Sequence, residues 1–550
     1  MGSATFNHIK EHLFFYIFLC VYIVLVLAWY YKPPWFIDHL IYLHLATPVN
    51  LVDLDFWHNS GVSVNPGHHN ERWAVLIPLM VFEKFLFFLT PGETSQVLIF
   101  SVYLAIFLIL YRVLRLNNGS LAANLFVVFF VIANHHTKNR ATEVLADPFG
   151  VLFFVLALYV LSRYKSHLNF NHFFIVGALL TMSVFTKIHY GVFVILFLIW
   201  FRKDLSVIYK PLILGSISSI LLMDVILFIF MPFDIFMQVN KNTFSVIVGY
   251  ITGGLGVSDG PGNNGWSYEW LKLSAQNKFL PFVFLISSAL IASRGLKHET
   301  ILAWSSVTFF ILIILLSSFS NFPANSSYAF PVFIFSTAAV AVLIAEFKPS
   351  SIKENNFVLL FVLSLSISLY FIYELGSVRS NKFFTSFQSI SIILAFVVFP
   401  MLAVQKKRVI VLYCTLLIIA SDTFWHNWKN IENHSWWRNG YDWHYDYLDV
   451  VEEFELQGGV YQVHFRDWPR IKKRAVRETM YIEPGIRSVT RSTLDIYPKV
   501  GAGELNILAN ADYLLLDYYI DNENYKLIKS KNFKTFPDKK SHILNLYVAK

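Results

Sequence analysis

The sequence predicts an α-helical polytopic membrane protein of about 13 spans, followed by a small α/β domain outside the membrane. Hydrophobic residues make up 56% of the 550 residues and charged residues only 15%, whereas soluble proteins carry roughly 25% charged residues. The apolar residues form long runs, and basic residues gather between alternate runs. This composition excludes a soluble cytoplasmic enzyme, a disordered chain and a nucleic-acid-binding protein.

The apolar runs give the predicted spans. The first, 13–31, is too long for a signal-peptide core and lacks a small-residue cleavage site, so we expect a retained signal anchor. The others are 97–111, 120–134, 149–164, 172–186, 188–201, 211–232, 279–294, 299–318, 328–345, 356–375, 387–404 and 409–420. Several are shorter than the roughly 20 residues that a span needs, so we expect their ends to extend into the flanks.

Basic residues in the short loops set the orientation, because they gather on the cytoplasmic side. With the N-terminus inside, every predicted cytoplasmic loop contains Lys or Arg, for example Arg163 and Lys165, or Lys406, Lys407 and Arg408. An odd number of spans then places the C-terminus outside. We expect a bacterial inner membrane protein with a cytoplasmic N-terminus and a periplasmic or extracellular C-terminal domain.

The apolar segment 73–90 is the exception among these runs. It contains Glu83 and Lys84 in its middle, and a charged pair at mid-bilayer is costly. Counting it as a span would also place the later basic loops outside. We therefore expect an interfacial or half-inserted helix on the outer surface.

The predicted membrane domain covers 1–420 and includes two large outer loops, 32–96 and 233–278. The remaining residues, 421–550, alternate strand-like and helical stretches, which is typical of a small α/β domain. The predicted strands are Val460–Phe465, Ile486–Thr490, Tyr513–Tyr519 and His542–Val548, and the predicted helix is Tyr447–Leu456.

Acidic residues that membrane spanning does not require lie in two of the predicted outer loops. Asp38 follows the first span directly, and Asp147 opens the span at 149–164. A carboxylate in such a place accepts a proton from a hydroxyl group or coordinates a hard cation. A simpler explanation is available for each: Asp38 fits a solvated surface acid, and Asp147 before Pro148 fits a helix start.

A lysine on the same predicted face completes the polar set. Lys187 lies at a break between two apolar runs. At the level of the lipid headgroups, a lysine binds an anionic phosphate as a point charge, although a lone lysine more commonly snorkels to the interface.

These features, taken in chain order, resemble the GT-C class of membrane glycosyltransferases. The early Asp38, the pattern from Arg140 to Asp147-Pro148 and the Thr186-Lys187 pair are most similar to the protein O-mannosyltransferase and aminoarabinose (lipid A) transferase group. The resemblance is clearest over about 12–205 and continues beyond as topology. Members of this group use polyprenyl-phosphate-linked sugars. Two departures, Asp38-His39 in place of Asp-Glu and 68–72 in place of a His/Lys-Pro-Pro element, concern acceptor identity and metal use.

The resemblance implies a direct displacement at the anomeric carbon of the sugar. Asp38 and Asp147 take the positions of the two catalytic acids, with Asp38 as the base on the acceptor hydroxyl. Lys187 and Arg140 take the positions that contact the donor phosphate. The residues that would bind substrate or, with Asp147, a divalent cation such as Mg²⁺ or Mn²⁺ are His69, Glu71 and Glu143. The expected partners are the polyprenyl-phosphate sugar, membrane lipids and a glycan, lipid or protein acceptor, without nucleic acid.

Three alternatives remain open at this point. A transporter or flippase for a polyprenyl-linked saccharide would place ionisable residues near mid-bilayer, where the main candidate is Asp224 in the span 211–232. An O-antigen polymerase or ligase also uses lipid-linked glycans but lacks the early Asp38 loop. A non-catalytic relative would keep the acids in structural roles.

Overall fold

The computed structural model describes a helical region and a separate strand-rich region of the chain. The described residues are 72–114, 123, 126, 130, 146–164, 168–187, 190–252, 330–331, 334–335, 338, 447–466, 486, 489–490, 494–500, 505–534 and 541–550.

The helices whose bounds the structure describes in the first region lie within 73–252. They are α1 (Trp73–Phe85), α2 (Pro91–Val113), α3 (Ala146–Arg163), α4 (Phe170–Val184), α5 (Gly191–Trp200), α6 (Leu205–Phe230) and α7 (Phe233–Thr252). By length and composition, α2, α3 and α6 can cross a membrane, and α4 and α5 are shorter apolar helices. Helices α2 to α6 overlap five of the predicted spans. The spans at 13–31, at 279–318 and from 356 onwards lie outside the described residues, and 120–134 and 328–345 are described at a few residues each.

Helix α3 occupies the interior of this region. It packs against α2 and α4, and most of its side chains are buried. Helix α6 lies at the periphery, because apolar side chains such as Ile217, Leu221 and Phe228 are exposed. An apolar helix that exposes so many large side chains is suited to contact with lipid.

Helices α4 and α6 contact each other through their backbones. A Cβ atom added at Gly177 would overlap the Leu212 carbonyl oxygen, and one added at Gly215 would overlap the Phe174 carbonyl oxygen. The Ser216 hydroxyl lies between the two helices, 2.9 Å from the Leu212 carbonyl oxygen of α6 and 3.4 Å from the Gly177 carbonyl oxygen of α4. Such close approach is typical of small residues between membrane helices, so these two glycines are required by the packing.

Helix α1 is the described part of the segment 73–90. Its 13 residues rise about 20 Å, which is less than the roughly 30 Å hydrocarbon core. Trp73 and the residues of the first two turns are buried, whereas Phe85, Phe87 and Phe88 at the other end are 73%, 80% and 56% exposed. The helix is thus too short to span and ends in an exposed aromatic turn.

A capping box starts α2 directly after that turn. The Thr90 hydroxyl accepts from the Glu93 backbone N–H, and the Glu93 carboxylate accepts from the Thr90 backbone N–H at 2.7 Å. Both bonds satisfy N–H groups that a helix start leaves without intrahelical partners.

Helix α7 occupies the first half of the predicted outer loop 233–278. The sequence predicted a long outer loop between two spans, and the structure has a 20-residue helix in its first half. Thr243 of α7 accepts a hydrogen bond from the Trp73 indole N–H at 3.2 Å. This bond joins α7 to the start of α1.

In the second region, a helical segment at 447–454 precedes a mixed five-stranded sheet of order β2-β1-β3-β5-β4. The strands are β1 (Gly459–Phe465), β2 (Leu494–Val500), β3 (Tyr513–Leu516), β4 (Tyr525–Lys534) and β5 (Ser541–Ala549). Strand β1 is parallel to β2 and β3, and β5 is antiparallel to β3 and β4. In register, Tyr461 pairs with Ile496 and with Tyr513, and Leu515 pairs with Leu546.

The four strands predicted from the sequence have different outcomes. Strands β1, β3 and β5 overlap predicted strands, with β3 shorter than expected. The predicted strand Ile486–Thr490 is wrong, since Ile486 and Val489 are helical. Both pack on the sheet at the three-residue spacing of one helix face.

Candidate functional site

Asp147 is a buried carboxylate at the beginning of α3. It is the second residue of the helix, and its side chain is 1% exposed. Oδ2 accepts a hydrogen bond from Lys187 Nζ at 2.6 Å, and Oδ1 accepts one from the Tyr190 hydroxyl at 3.0 Å. Each carboxylate oxygen therefore has a partner, which a helix start alone does not require.

Lys187 reaches this carboxylate because α3 and α4 run antiparallel. Helix α4 ends at Val184, and the Thr186 hydroxyl donates to the Ser183 carbonyl oxygen at 2.6 Å. The Tyr190 backbone N–H then bonds the Lys187 carbonyl oxygen at 2.9 Å, just before α5 begins. This turn places Lys187 and Tyr190 beside the first turn of α3.

Gly150 allows the two helices to come this close. A Cβ atom at this position would overlap the Tyr190 ring and lie 2.6 Å from the Thr186 hydroxyl oxygen. The Gly150 carbonyl oxygen accepts from the Ser183 hydroxyl at 2.8 Å. A larger residue would push Tyr190 and the end of α4 away from Asp147.

An aromatic cluster lies directly beside the polar groups. The rings of Tyr190 and Phe193 stack at 5.3 Å, and those of Phe193 and Phe154 stack at 3.9 Å. Phe335 contacts both phenylalanines, at 5.6 and 5.7 Å. Such surroundings exclude water, and a low local dielectric strengthens the bonds at the carboxylate.

Both members of this ion pair are buried, because the Lys187 side chain is 6% exposed and the Asp147 side chain is 1% exposed. Removing one charge of such a pair leaves the other buried without its counter-charge. Among the described residues before 340, Asp147 and Lys187 are the buried side chains that carry a charge. They lie where helices begin and end, not in the middle of a helix.

The start of α1 lies close to this end of α4. The Trp73 ring is 5.2 Å from that of Phe185, two residues before Lys187. The described start of α1 therefore lies beside the end of α4, two residues before Lys187.

Of the residues predicted from the sequence, Asp147 and Lys187 come into direct contact. The others, Asp38, His69, Glu71, Arg140 and Glu143, lie outside the described residues. Tyr190 was missed. Its signal was its place three residues after Lys187 at a break between apolar runs, but a tyrosine there is more often a membrane-interface anchor.

Within the described part of the chain, no group of three or more His, Cys, Asp or Glu residues lies close enough to hold a metal ion. Both oxygens of Asp147 accept a hydrogen bond here, from Lys187 and Tyr190. The part of Asp147 in binding a divalent cation stays a prediction, because His69, Glu71 and Glu143 lie outside the described residues. The described arrangement fits a carboxylate that fixes the Lys187 ammonium in place.

No protein-family model matches this sequence, and a search of curated proteins found no match either. Solved structures similar to the chain include ArnT from Cupriavidus metallidurans. In the apo state it has 10% identity and a TM-score of 0.49, covering 99% of this chain and 98% of that one. Bound to undecaprenyl phosphate it has 11% identity and a TM-score of 0.47, covering 96% and 97%.

A third similar structure is the apo form of the Archaeoglobus fulgidus oligosaccharyltransferase, with 12% identity and a TM-score of 0.34, covering 87% of this chain and 65% of that one. These proteins are GT-C class membrane glycosyltransferases, the class that the sequence resembles. All three similarities lie below 25% identity and below a TM-score of 0.5.

Proposed function

We propose that this protein is a membrane glycosyltransferase that moves a sugar from a polyprenyl-phosphate-linked donor to an acceptor on the outer face of the membrane. The observation that supports this most is the buried contact between Asp147 and Lys187, 2.6 Å apart. A buried cation held at the ends of apolar helices is suited to the phosphate of a lipid whose chain lies in the bilayer.

In the proposed reaction, the acceptor oxygen attacks the anomeric carbon and the bond from that carbon to the phosphate oxygen breaks. The proton of the acceptor hydroxyl passes to Asp38. Negative charge grows on the departing lipid phosphate, and Lys187, with Arg140 as a second cation, stabilises it. The direct displacement inverts the configuration of the sugar.

Asp147 serves this reaction by positioning Lys187. An ammonium group has three N–H donors, and the bond to Asp147 directs one of them to a fixed point. The carboxylate also provides the counter-charge that a buried ammonium requires. A divalent cation, Mg²⁺ or Mn²⁺, at Asp147 with Glu71, His69 or Glu143 is a separate proposal, and no step above passes through it.

The position of the charges favours a transferase over a transporter. A transporter binds its substrate near mid-bilayer, at broken helices. Here Asp147 lies at the start of α3 and Lys187 beyond the end of α4, while Asp224, within α6, is only half-buried. Ionisable groups at helix ends suit chemistry at the membrane surface.

The proposed orientation places Asp38, Asp147 and Lys187 on the periplasmic face of a bacterial inner membrane, together with 421–550. The acceptor is a glycan, a lipid or a protein on that face. Reporter fusions at residue 165 and at the C-terminus test this, and we expect a cytoplasmic and a periplasmic signal, respectively. The reverse result would contradict the proposed topology.

The decisive experiment incubates the purified full-length protein with a panel of undecaprenyl-phosphate sugars and measures release of undecaprenyl phosphate. Asp38→Ala should slow release by roughly 10²- to 10⁴-fold, as expected for loss of a general base. The double variant Asp147→Asn/Lys187→Met, which removes both buried charges together, should also slow it. The Tyr103→Phe variant, changed at a buried ring against Phe330, serves as the control and should be as active as the unchanged protein.

Three outcomes would contradict the proposal. Release that persists in both the Asp38 and the double variant would reject the assigned chemistry and favour acids in structural roles. Movement of lipid-linked saccharide across liposomes, without release from any donor, would favour a transporter. Transfer of whole lipid-linked glycan chains, without single-sugar transfer, would favour a polymerase or ligase.

A further inference from the structure

We propose that Tyr190 is a positioning residue for the lipid phosphate: it holds the Asp147 carboxylate, and through it the Lys187 ammonium, in one orientation. This inference rests on the proposed function and adds a residue to it. The Tyr190 hydroxyl donates to Oδ1 at 3.0 Å, while Lys187 donates to Oδ2 at 2.6 Å. With one donor on each oxygen, the carboxylate cannot rotate without breaking a bond.

The tyrosine ring is itself held on two sides. It is fully buried, it stacks on Phe193 at 5.3 Å, and it fills the space that Gly150 leaves open. A ring confined in this way keeps its hydroxyl at a fixed point, so the direction of the Asp147 carboxylate is set by packing as well as by charge.

The hydroxyl matters most when an anion approaches Lys187. A phosphate competes with Asp147 for the ammonium, and a carboxylate that had lost its second donor would turn to follow the ammonium. With Tyr190 in place, the carboxylate stays aligned, and the remaining donors of the ammonium keep their direction. Loss of the hydroxyl should therefore weaken binding of a charged lipid and leave binding of the same lipid chain without phosphate unchanged.

The test measures affinity of the full-length protein in nanodiscs for undecaprenyl phosphate and for undecaprenol, its uncharged counterpart. Tyr190→Phe keeps the ring and removes only the hydroxyl. We expect its affinity for undecaprenyl phosphate to fall about tenfold, the effect of one hydrogen bond to a charged group, with undecaprenol affinity unchanged. Tyr103→Phe, which removes the hydroxyl of a different buried tyrosine, should change neither.

A second pair of variants tests whether the space left by Gly150 sets the position of the Tyr190 ring. Gly150→Ala should displace Tyr190 and reduce the preference for phosphate, whereas Tyr103→Phe, changed at a buried ring against Phe330, should not. If the Tyr190→Phe variant and the unchanged protein prefer undecaprenyl phosphate over undecaprenol to the same degree, the inference is overturned. An equal loss of affinity for both lipids would also overturn it, because it would mean general damage to the fold.

The double variant Asp147→Asn/Lys187→Met separates the two proposals. If it loses the preference for phosphate while Tyr190→Phe keeps it, the phosphate site stands and the role of Tyr190 is wrong. If the double variant keeps the full preference, Lys187 does not bind the phosphate and the proposed function itself loses its support.

Discussion

The buried pair of Asp147 and Lys187 predicts a specific pattern of stability in three variants. Asp147→Asn leaves an ammonium that is 6% exposed without its counter-charge, and Lys187→Met leaves a carboxylate that is 1% exposed without its own. Each single change should lower the free energy of unfolding by about 3–5 kcal/mol, as found when one partner of a buried ion pair is removed.

The double variant should be far more stable than the sum of the single changes implies. It removes both charges, and the unbranched Met side chain fills most of the volume of the lysine stem. Replacing a buried ion pair with uncharged groups of similar size is often neutral. We therefore expect a loss of about 1 kcal/mol or less and, with single losses of about 3–5 kcal/mol each, a coupling energy between the two sites of about 5 kcal/mol or more.

Titration of the full-length protein from mild detergent into SDS, followed by helical circular dichroism, measures these free energies. Tyr103→Phe again serves as the control for a change in the buried helical region. Single changes that add to give the double-variant value within about 0.5 kcal/mol would show that the two residues do not interact. That result would refute the contact on which the proposed site depends.

Three further variants, two of them with a matched control variant, test the helix contacts by the same titration. Gly215→Ala should lower the free energy of unfolding by about 1–3 kcal/mol, because its Cβ overlaps the backbone of α4. Its control, Gly191→Ala, has open space around the added Cβ and should lower this free energy by less than about 0.5 kcal/mol. Thr90→Ala removes the capping box of α2 and should lower the free energy of unfolding by about 1 kcal/mol. Its control, Ser101→Ala, removes an exposed hydroxyl within the same helix and should lower it by about 0.5 kcal/mol or less. Trp73→Phe should cost about 1 kcal/mol through loss of the bond to α7. Equal values within any matched pair, or no change for Trp73→Phe, would contradict the corresponding contact.

The sequence was sufficient to predict helices in the membrane region and to predict that Asp147 and Lys187 share a face. Long apolar runs indicate helices without any knowledge of packing, and basic loops give the sidedness. The contact between the two residues was not predictable, because it depends on the antiparallel register of α3 and α4. That register depends on close approach at Gly150, which the sequence shows only as one glycine among 24.

The mistakes in the C-terminal region have related causes. A short apolar run such as Ile486–Thr490 fits a strand and a helix equally well until its packing is known. Strand β4 was missed because lysines such as Lys526, Lys529 and Lys531 interrupt its apolar pattern. Strand β2 was missed because Pro498 argues against a strand, although β2 lies at the edge of the sheet, where proline is tolerated.

The backbone contact at Gly177 and Gly215 has a mechanical consequence for the site. Where two helices touch through their backbones, no side chains lie between them that could rearrange as one helix moves past the other. Helices α4 and α6 should therefore behave as one rigid frame. Lys187, just beyond the end of α4, is then fixed relative to that frame. Among the described elements, α1 and α7 both contact α6 and are joined by the Trp73–Thr243 bond, so a movement of one relative to the frame should carry the other with it.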